Sequence, residues 1–388
     1  MIRRYRYLIA GGGMTADAAV RGIRAVDADG SIGLIGQELD PPYNRPPLSK
    51  GLWKPGPRPM PLARIWRGTD RLGADLHLGR TAVHLDADAK TVTDDLGNVY
   101  AYEKLLLATG GSPIQPWGAH ERIIYFRTLA DYNHLRGLTE TAQKFLVIGG
   151  GFIGSEIAAA LARNGKEVTM VFPEEGICAR VLPEAISQHL NRVFAENGVR
   201  VLHGHMVERV EATEQSVTVT TGKGETLTAE AVIAGLGIRP NTALAEMAGL
   251  QVGNGIHVDE RLRTSRPDIF AAGDVANFYD PALGKRVRAE HEETANVTGM
   301  LAGQAMAGDT SVRYDGLPSV YSTLFGAHYD AVGELDPRME IIYDWQEPFE
   351  KGTISYLGPG RVVRGVLLWN IERGLDEARE WIREKRVI

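Results

Sequence analysis

Two short stretches of this chain carry glycines at the same spacing, Gly11-x-Gly13-x-x-Ala16 in LIAGGGMTADAAV and Gly149-x-Gly151-x-x-Gly154 in FLVIGGGFIGSEIAAAL. Each follows a short apolar run and precedes an alanine-rich segment with helical spacing. That pattern fits the dinucleotide fingerprint. The first glycine makes a tight turn, the second lets the backbone approach a pyrophosphate, and the third position, where Ala is also accepted, packs helix on strand. The anion then sits at a helix N-terminus, where unbonded N–H groups and the macrodipole favour negative charge. One such turn is a common connector; two on one chain predict two dinucleotide pockets.

An acidic side chain at the end of the following strand completes such a site by holding ribose hydroxyls. After the second turn, MVFPEEG supplies Glu174, whose carboxylate repels a 2′-phosphate and so predicts NADH over NADPH. After the first, GLIGQELD puts Gln37 at the expected place with Glu38 beside it, and the sequence leaves both open as the ribose partner. Two pockets suggest two rings passing a hydride, a nicotinamide as donor and a flavin as acceptor.

The elements that position these turns read as α/β. Strand, helix and strand (Ser31 to Gly36) lead to the proline-rich segment DPPYNRPPLSKGLWKPGPRPMP. Its prolines exclude helix interior and central strand, while Tyr43, Trp53 and its leucines predict an ordered, packed loop. TAVHLDADAKTVT predicts a small antiparallel insertion, and EKLLLATGG a return to the main sheet. After the second turn come a helix to about Gly165, a buried strand Glu167 to Phe172, a helix through Pro183 to Asn197, then DIFAAGDVA and a helix from about Glu292 to Ala307. From Leu317 the texture changes to aromatic-rich strands and a last charged helix, Leu375 to Arg386. With 43 basic and 49 acidic residues the net charge is −6, which argues against nucleic acid as partner. No apolar run reaches membrane-spanning length. Cys178 is the single cysteine, so no intrachain disulfide forms, and a reducing compartment such as the cytoplasm is expected.

Taken together, GGGMTADAA, PPYNRPPLSKGLW, LLLATGGSP, VIGGGFIGSEIA, GIRPN and IFAAGDVANFYD resemble the FAD-dependent pyridine nucleotide oxidoreductases. Within them, the resemblance is to the branch of apoptosis-inducing factor and the NADH-dependent ferredoxin reductases of oxygenase systems. It covers nearly the whole chain, with RPPLSK as its most specific motif. It implies two Rossmann-like domains plus a C-terminal α/β domain: FAD-binding residues 1–115 and 241–315, an inserted NAD-binding domain 116–240, and the tail 316–388.

The resemblance also assigns residues. FAD would occupy the first site, meeting Gly11, Gly13, Ala16, Gln37 or Glu38, Ala108-Thr109-Gly110 at a strand end, and Asp274 at the flavin's linking chain. Arg45 and Arg127 match positions that approach FAD, and Val83 matches a residue whose backbone meets the adenine. Glu290 and His291 would line the flavin's pyrimidine end, with Tyr321 where relatives carry Trp. NADH would meet Gly149, Gly151, Phe152, Ile153, Gly154, Glu174 and Gly237. Lys50 matches the lysine beside flavin N5, and Glu156, expected in the first turn of the NAD-site helix, matches that lysine's partner. An ammonium there favours the negative charge that hydride transfer puts on the ring.

Three functions follow as expectations. In the first, electrons pass from the flavin to a separate acceptor such as a ferredoxin or rubredoxin. In the second, the chain is a slowly turning, redox-responsive protein like apoptosis-inducing factor, with a long-lived reduced flavin–NAD charge-transfer complex. In the third it is an NADH oxidase or quinone reductase. Oligomeric state, monomer or homodimer, is left open. Disulfide reduction is excluded by cysteine count, and no metal is expected. HEETA lacks the second histidine of a zinc helix, since residue 295 is Ala, and His203 and His205, placed on one face of a strand, have no third ligand.

Overall fold

The computed structural model describes residues 2–56 and 60–388. The chain divides into two units, each assembled from separate stretches: 1–44, 63–112 and 239–319 in the first, 45–62, 113–238 and 320–388 in the second.

In the first unit a seven-stranded sheet runs in the order Ala74–Leu78, Ile32–Gly36, Ile2–Ala10, Val99–Leu107, Thr91–Asp94, Ala82–Asp86, with Ile269–Ala271 also paired to Val99–Leu107. The strands around Ile2–Ala10 are parallel, as are Val99–Leu107 and Ile269–Ala271. They read as continuous apolar runs because they are buried on both faces, as Ile32–Gly36 is throughout. The expected antiparallel insertion is present as Ala82–Asp86 and Thr91–Asp94. Leu8, Ile9, Leu34, Leu105, Leu106 and Ile269 form the centre of the core.

Helices Met14–Val26 and Glu292–Met306 lie unusually close. A Cβ on Gly299 would meet the Thr15 carbonyl oxygen at 2.5 Å, one on Gly303 the Ala19 oxygen at 2.2 Å, and one on Gly22 the Met300 oxygen at 2.1 Å. Only hydrogen fits at those three places. This packing fixes the helix that follows the first glycine turn.

The second unit holds a five-stranded parallel sheet in the order Val199–Leu202, Glu167–Val171, Lys144–Ile148, Ala231–Ala234, Ile123–Ile124. A three-stranded antiparallel sheet lies beside it in sequence, Val207–Ala212 through Thr226–Ala229. The tail forms a five-stranded sheet, Ser319–Leu324, Ala327–Gly333, Val363–Trp369, Lys351–Leu357, Glu340–Glu347, and a helix Leu375–Arg383. The aromatic-rich strands and the last helix expected from Leu317 onward are therefore present.

The proline-rich segment is ordered around two short 3-10 turns, Pro46–Leu48 and Gly51–Trp53. Trp53 is buried, donates its indole N–H to the Leu48 carbonyl at 2.6 Å, and meets Tyr132 edge to face at 5.5 Å. The Asn164 amide donates to the Trp53 carbonyl at 2.9 Å. These anchors hold RPPLSK in one conformation; the 57–59 part of the same segment lies outside the described residues. One expectation fails here. His203 and His205 are not on a strand: Gly204, at φ +66°, turns the chain between them after Leu202.

Candidate active site

Both glycine turns have the geometry their spacing calls for. Gly11 sits at φ +138°, and a Cβ there would lie 2.0 Å from the Ala108 carbonyl oxygen. Gly149, at φ +110°, would meet the Gly235 oxygen at 2.3 Å. At each position an L side chain fails twice, on backbone conformation and on space. Gly13 and Gly151 are the N-caps of helices Met14–Val26 and Phe152–Arg163, and neither has a side-chain cap. At both turns the helix thus starts on a glycine, with no side chain of the cap residue itself over the first N–H groups. Ala16 is buried against the strand, and a Cβ on Gly154 would lie 2.1 Å from the Gly149 oxygen, which explains the small third position.

Around the first turn the structure gathers several expected residues. Gly273, at φ +73°, is pressed on Thr15 of the turn helix, so the neighbouring Asp274 stands beside the turn. Thr109 donates to the Asn241 carbonyl at 2.7 Å, and the Asn241 N–H donates to the Gly110 carbonyl at 2.9 Å. Those bonds tie the Ala108-Thr109-Gly110 strand end in place. Val83 lies at the register shift between Ala82 and His84. Gln37 is exposed, whereas Glu38 is half-buried and accepts the Tyr43 hydroxyl at 2.5 Å. Glu290 pairs with Arg288 at 2.6 Å, and Arg288 also donates to the Asp274 carbonyl at 3.1 Å. His291 is the N-cap of Glu292–Met306, its Nδ1 accepting the Glu293 N–H at 3.4 Å.

A buried ion network under this turn went unforeseen. Asp17, fully buried, accepts from Arg21 at 2.9 Å, Arg67 at 2.7 Å and Thr69 at 2.6 Å. Arg67 reaches on to Asn44 at 2.6 Å and Asn296 at 2.9 Å. Burial alone would raise the Asp17 pKa, but the hydrogen bonds from Arg21, Thr69 and Arg67 outweigh it and hold the carboxyl below its ordinary value.

In the second unit, Lys50 and Glu156 meet. Lys50 Nζ lies 2.7 Å from Glu156 Oε1, with the carboxylate side chain 3% exposed and the lysine 26%. Glu156 is the fifth residue of Phe152–Arg163, so it falls past the first turn rather than within it. It is therefore held by its partners and not by the helix end, where the macrodipole acts. Those partners include two serines that sequence reading missed: Ser49 Oγ donates to Oε2 at 2.6 Å, and Ser322 Oγ to Oε1 at 2.7 Å. The Tyr321 ring lies under the ammonium, 5.1 Å from Nζ to its centroid. A cation between a carboxylate and an aromatic face is held in place from both sides. Arg45 donates to the Arg127 carbonyl at 3.0 Å, joining those two candidates as well.

The rest of the nucleotide side is more open. No atom lies within 4 Å of a Cβ placed on Gly151, Phe152 is half-buried, and Ile153 is 39% exposed. Glu174 pairs with Arg180 at 2.7 Å. Gly237, at φ +86°, is exposed, and its carbonyl accepts the Ile114 N–H at 3.0 Å. Gly235, opposite Gly149 and Gly154, belongs to the same turn and was not singled out; its signal was the glycine pair in AGLGIRPN. Cys178 is buried and burial pushes its thiol up to about 12, which makes it a packed side chain. Among the described residues no helix is long and apolar enough to cross a membrane, and no cluster could hold a metal ion.

The family model for pyridine nucleotide-disulphide oxidoreductases matches residues 5–302. The chain belongs to that family. It is 30% identical to the mitochondrial apoptosis-inducing factor 1 of Dictyostelium discoideum, over 100% of this chain and 80% of that protein. It is 34% identical to the ferredoxin–NAD(+) reductase component of the anthranilate 1,2-dioxygenase system of Burkholderia cepacia, over 97% of this chain and 93% of that one. Its fold also matches putidaredoxin reductase, as solved in its covalent complex with putidaredoxin, with a TM-score of 0.90, 28% identity and coverage of 98% and 93%. Family membership makes it an FAD-dependent pyridine nucleotide oxidoreductase that uses FAD and NADH. The two glycine cradles, each closed to any Cβ at its first position, fit those dinucleotides.

Proposed function

We propose that this chain takes reducing equivalents from NADH and delivers them to a separate redox protein, a ferredoxin or a rubredoxin. Bound FAD would supply a ring that takes two electrons as a hydride and gives them up one at a time. The Lys50–Glu156 contact carries the reading: a charged ammonium held at 2.7 Å by a buried carboxylate is suited to stabilise negative charge developing beside it. Asp274 and the first glycine turn would hold the flavin's linking chain, with Glu38 or Gln37 at its ribose. Gly149, Gly151 and Gly154 would receive the NADH pyrophosphate, and Glu174 its adenosine ribose.

Glu174 supports preference for NADH, because a 2′-phosphate would bring like charges together. A single cysteine, buried and with a raised pKa, supports a mechanism without disulfide exchange and a reducing compartment such as the cytoplasm. The relatives named as a ferredoxin–NAD(+) reductase component and as putidaredoxin reductase support a protein acceptor. The likeness to apoptosis-inducing factor across the whole chain favours a second reading, in which slow reduction sets a lasting conformation that partners recognise.

Anaerobic mixing with NADH, followed by air or by a panel of iron–sulfur proteins, separates the two. Fast bleaching of the flavin and fast discharge to a ferredoxin or rubredoxin is the expected result. Slow bleaching, with a long-wavelength absorbance lasting minutes in air, would replace it with the second reading.

A further inference from the structure

We propose that Ser322 is a positioning residue for hydride transfer: it fixes the carboxylate on which the Lys50 ammonium is docked. The inference rests on the role of Lys50 given above. The last torsion of a glutamate side chain is broad and roughly two-fold, so the carboxylate plane of Glu156 is set by its neighbours. Ser322 and Lys50 share Oε1, each at 2.7 Å, while Ser49 takes Oε2 at 2.6 Å. With both oxygens held by hydroxyl donors, the plane does not turn and Lys50 has one place to dock.

Ser322 is itself fixed from behind. It is fully buried on strand Ser319–Leu324, whose neighbour in the sheet, Ala327–Gly333, carries Tyr329. Tyr329 is buried, stacks on Trp369 with ring centroids 5.8 Å apart, and reaches Cys178 Sγ at 4.0 Å. The adjoining Tyr321 lies under the same ammonium. One strand of the tail sheet thus supplies both a cation-binding ring and the hydroxyl that aims the counter-charge. Removing that hydroxyl leaves Oε1 with Lys50 and frees the carboxylate to rotate.

The test is rapid anaerobic reduction of the FAD-loaded enzyme by NADH. Ser322→Ala is expected to lower the limiting rate at saturating NADH about tenfold, the scale of one hydrogen bond to a charged group. The NADH concentration for half-maximal rate should stay within about twofold, since the effect belongs to the transition state. In a Glu156→Gln background Ser322→Ala should add nothing, because residues acting through one carboxylate are not additive. A wild-type limiting rate in Ser322→Ala, or an equal slowing in the Glu156→Gln background, would overturn the proposal. Lys50→Ala, run alongside, separates the failures: if it is slow while Ser322→Ala is not, the positioning role alone falls, and if it is not slow, both readings fall. Should Ser322→Ala fail to retain flavin, Ser49→Ala gives the same comparison from the opposite oxygen, with the same expected non-additivity and the same overturning results.

Discussion

The two glycine turns share a spacing but differ in their surroundings. The first is followed by a helix clamped along its length, with Gly22, Gly299 and Gly303 allowing backbone contact and Asp17 tied to two arginines beneath. The second opens outward: Gly151 has nothing within 4 Å of a would-be Cβ, and Ile153 is exposed. An over-determined cradle suits a cofactor that stays, and an open one a donor that must leave each cycle. On the function proposed above, with FAD at the first turn and NADH at the second, the packing around the fingerprint and not the fingerprint itself would separate resident from visitor.

The hardest way to break this contrast is at Gly303. Gly303→Val puts a branched side chain where a Cβ already meets the Ala19 oxygen at 2.2 Å, so the two helices must part. Overpacking of this kind costs about 1–3 kcal/mol or more. We expect a lower Tm and loss of bound FAD, read by thermal melting and flavin release. Gly151→Ala, at the open turn, should leave both unchanged and affect NADH binding alone.

Next in size is Lys50→Ala, which should slow flavin reduction by on the order of 100-fold and also lower Tm, because it leaves the buried Glu156 carboxylate without its cation. Stopped-flow reduction checks it. Smaller is Glu174→Ala, which should shrink the preference for NADH over NADPH about tenfold, read as the ratio of kcat/KM values.

Acid sharpens the comparison from the other side. Asp17 has a folded pKa below its unfolded value, so its contribution to stability is full above the unfolded pKa, about 3.9, and is lost as pH falls through the lower folded pKa. Wild type should lose Tm steeply on going below about pH 4, and Asp17→Asn, less stable at neutral pH, should show a shallower loss over the same range. Thermal melts at stepped pH decide it.

How much of this was legible in the sequence follows from what each feature depends on. Local features were readable. The glycine spacing gave both turns, Pro183 and Asn197 bracket the helix Glu184–Glu196, and the helix expected from Glu292 runs to Met306. The proline-rich segment was readable as packed because Trp53 and its leucines have no place in a linker. Lys50 and Glu156 were paired through family resemblance, and the structure brings them to 2.7 Å.

Features that depend on distant partners were not readable. Ser49 and Ser322 reach Glu156 across 107 and 166 positions, and nothing in LSK or YST announces a donor to a remote carboxylate. The burial of Asp17 depends on Arg67 and Thr69, which lie some fifty residues on in the sequence. His203 and His205 misled because alternation signals a strand only when the backbone stays extended, and Gly204 does not. Glu156, expected in the first turn, falls one residue past it because the helix starts at Phe152.

Gel filtration of the purified protein, preincubated with equal amounts of FAD and NAD⁺, tests the central contrast most directly. The account predicts that FAD elutes with the chain, one per chain, while NAD⁺ is left behind. Co-elution of both, or of neither, would contradict it.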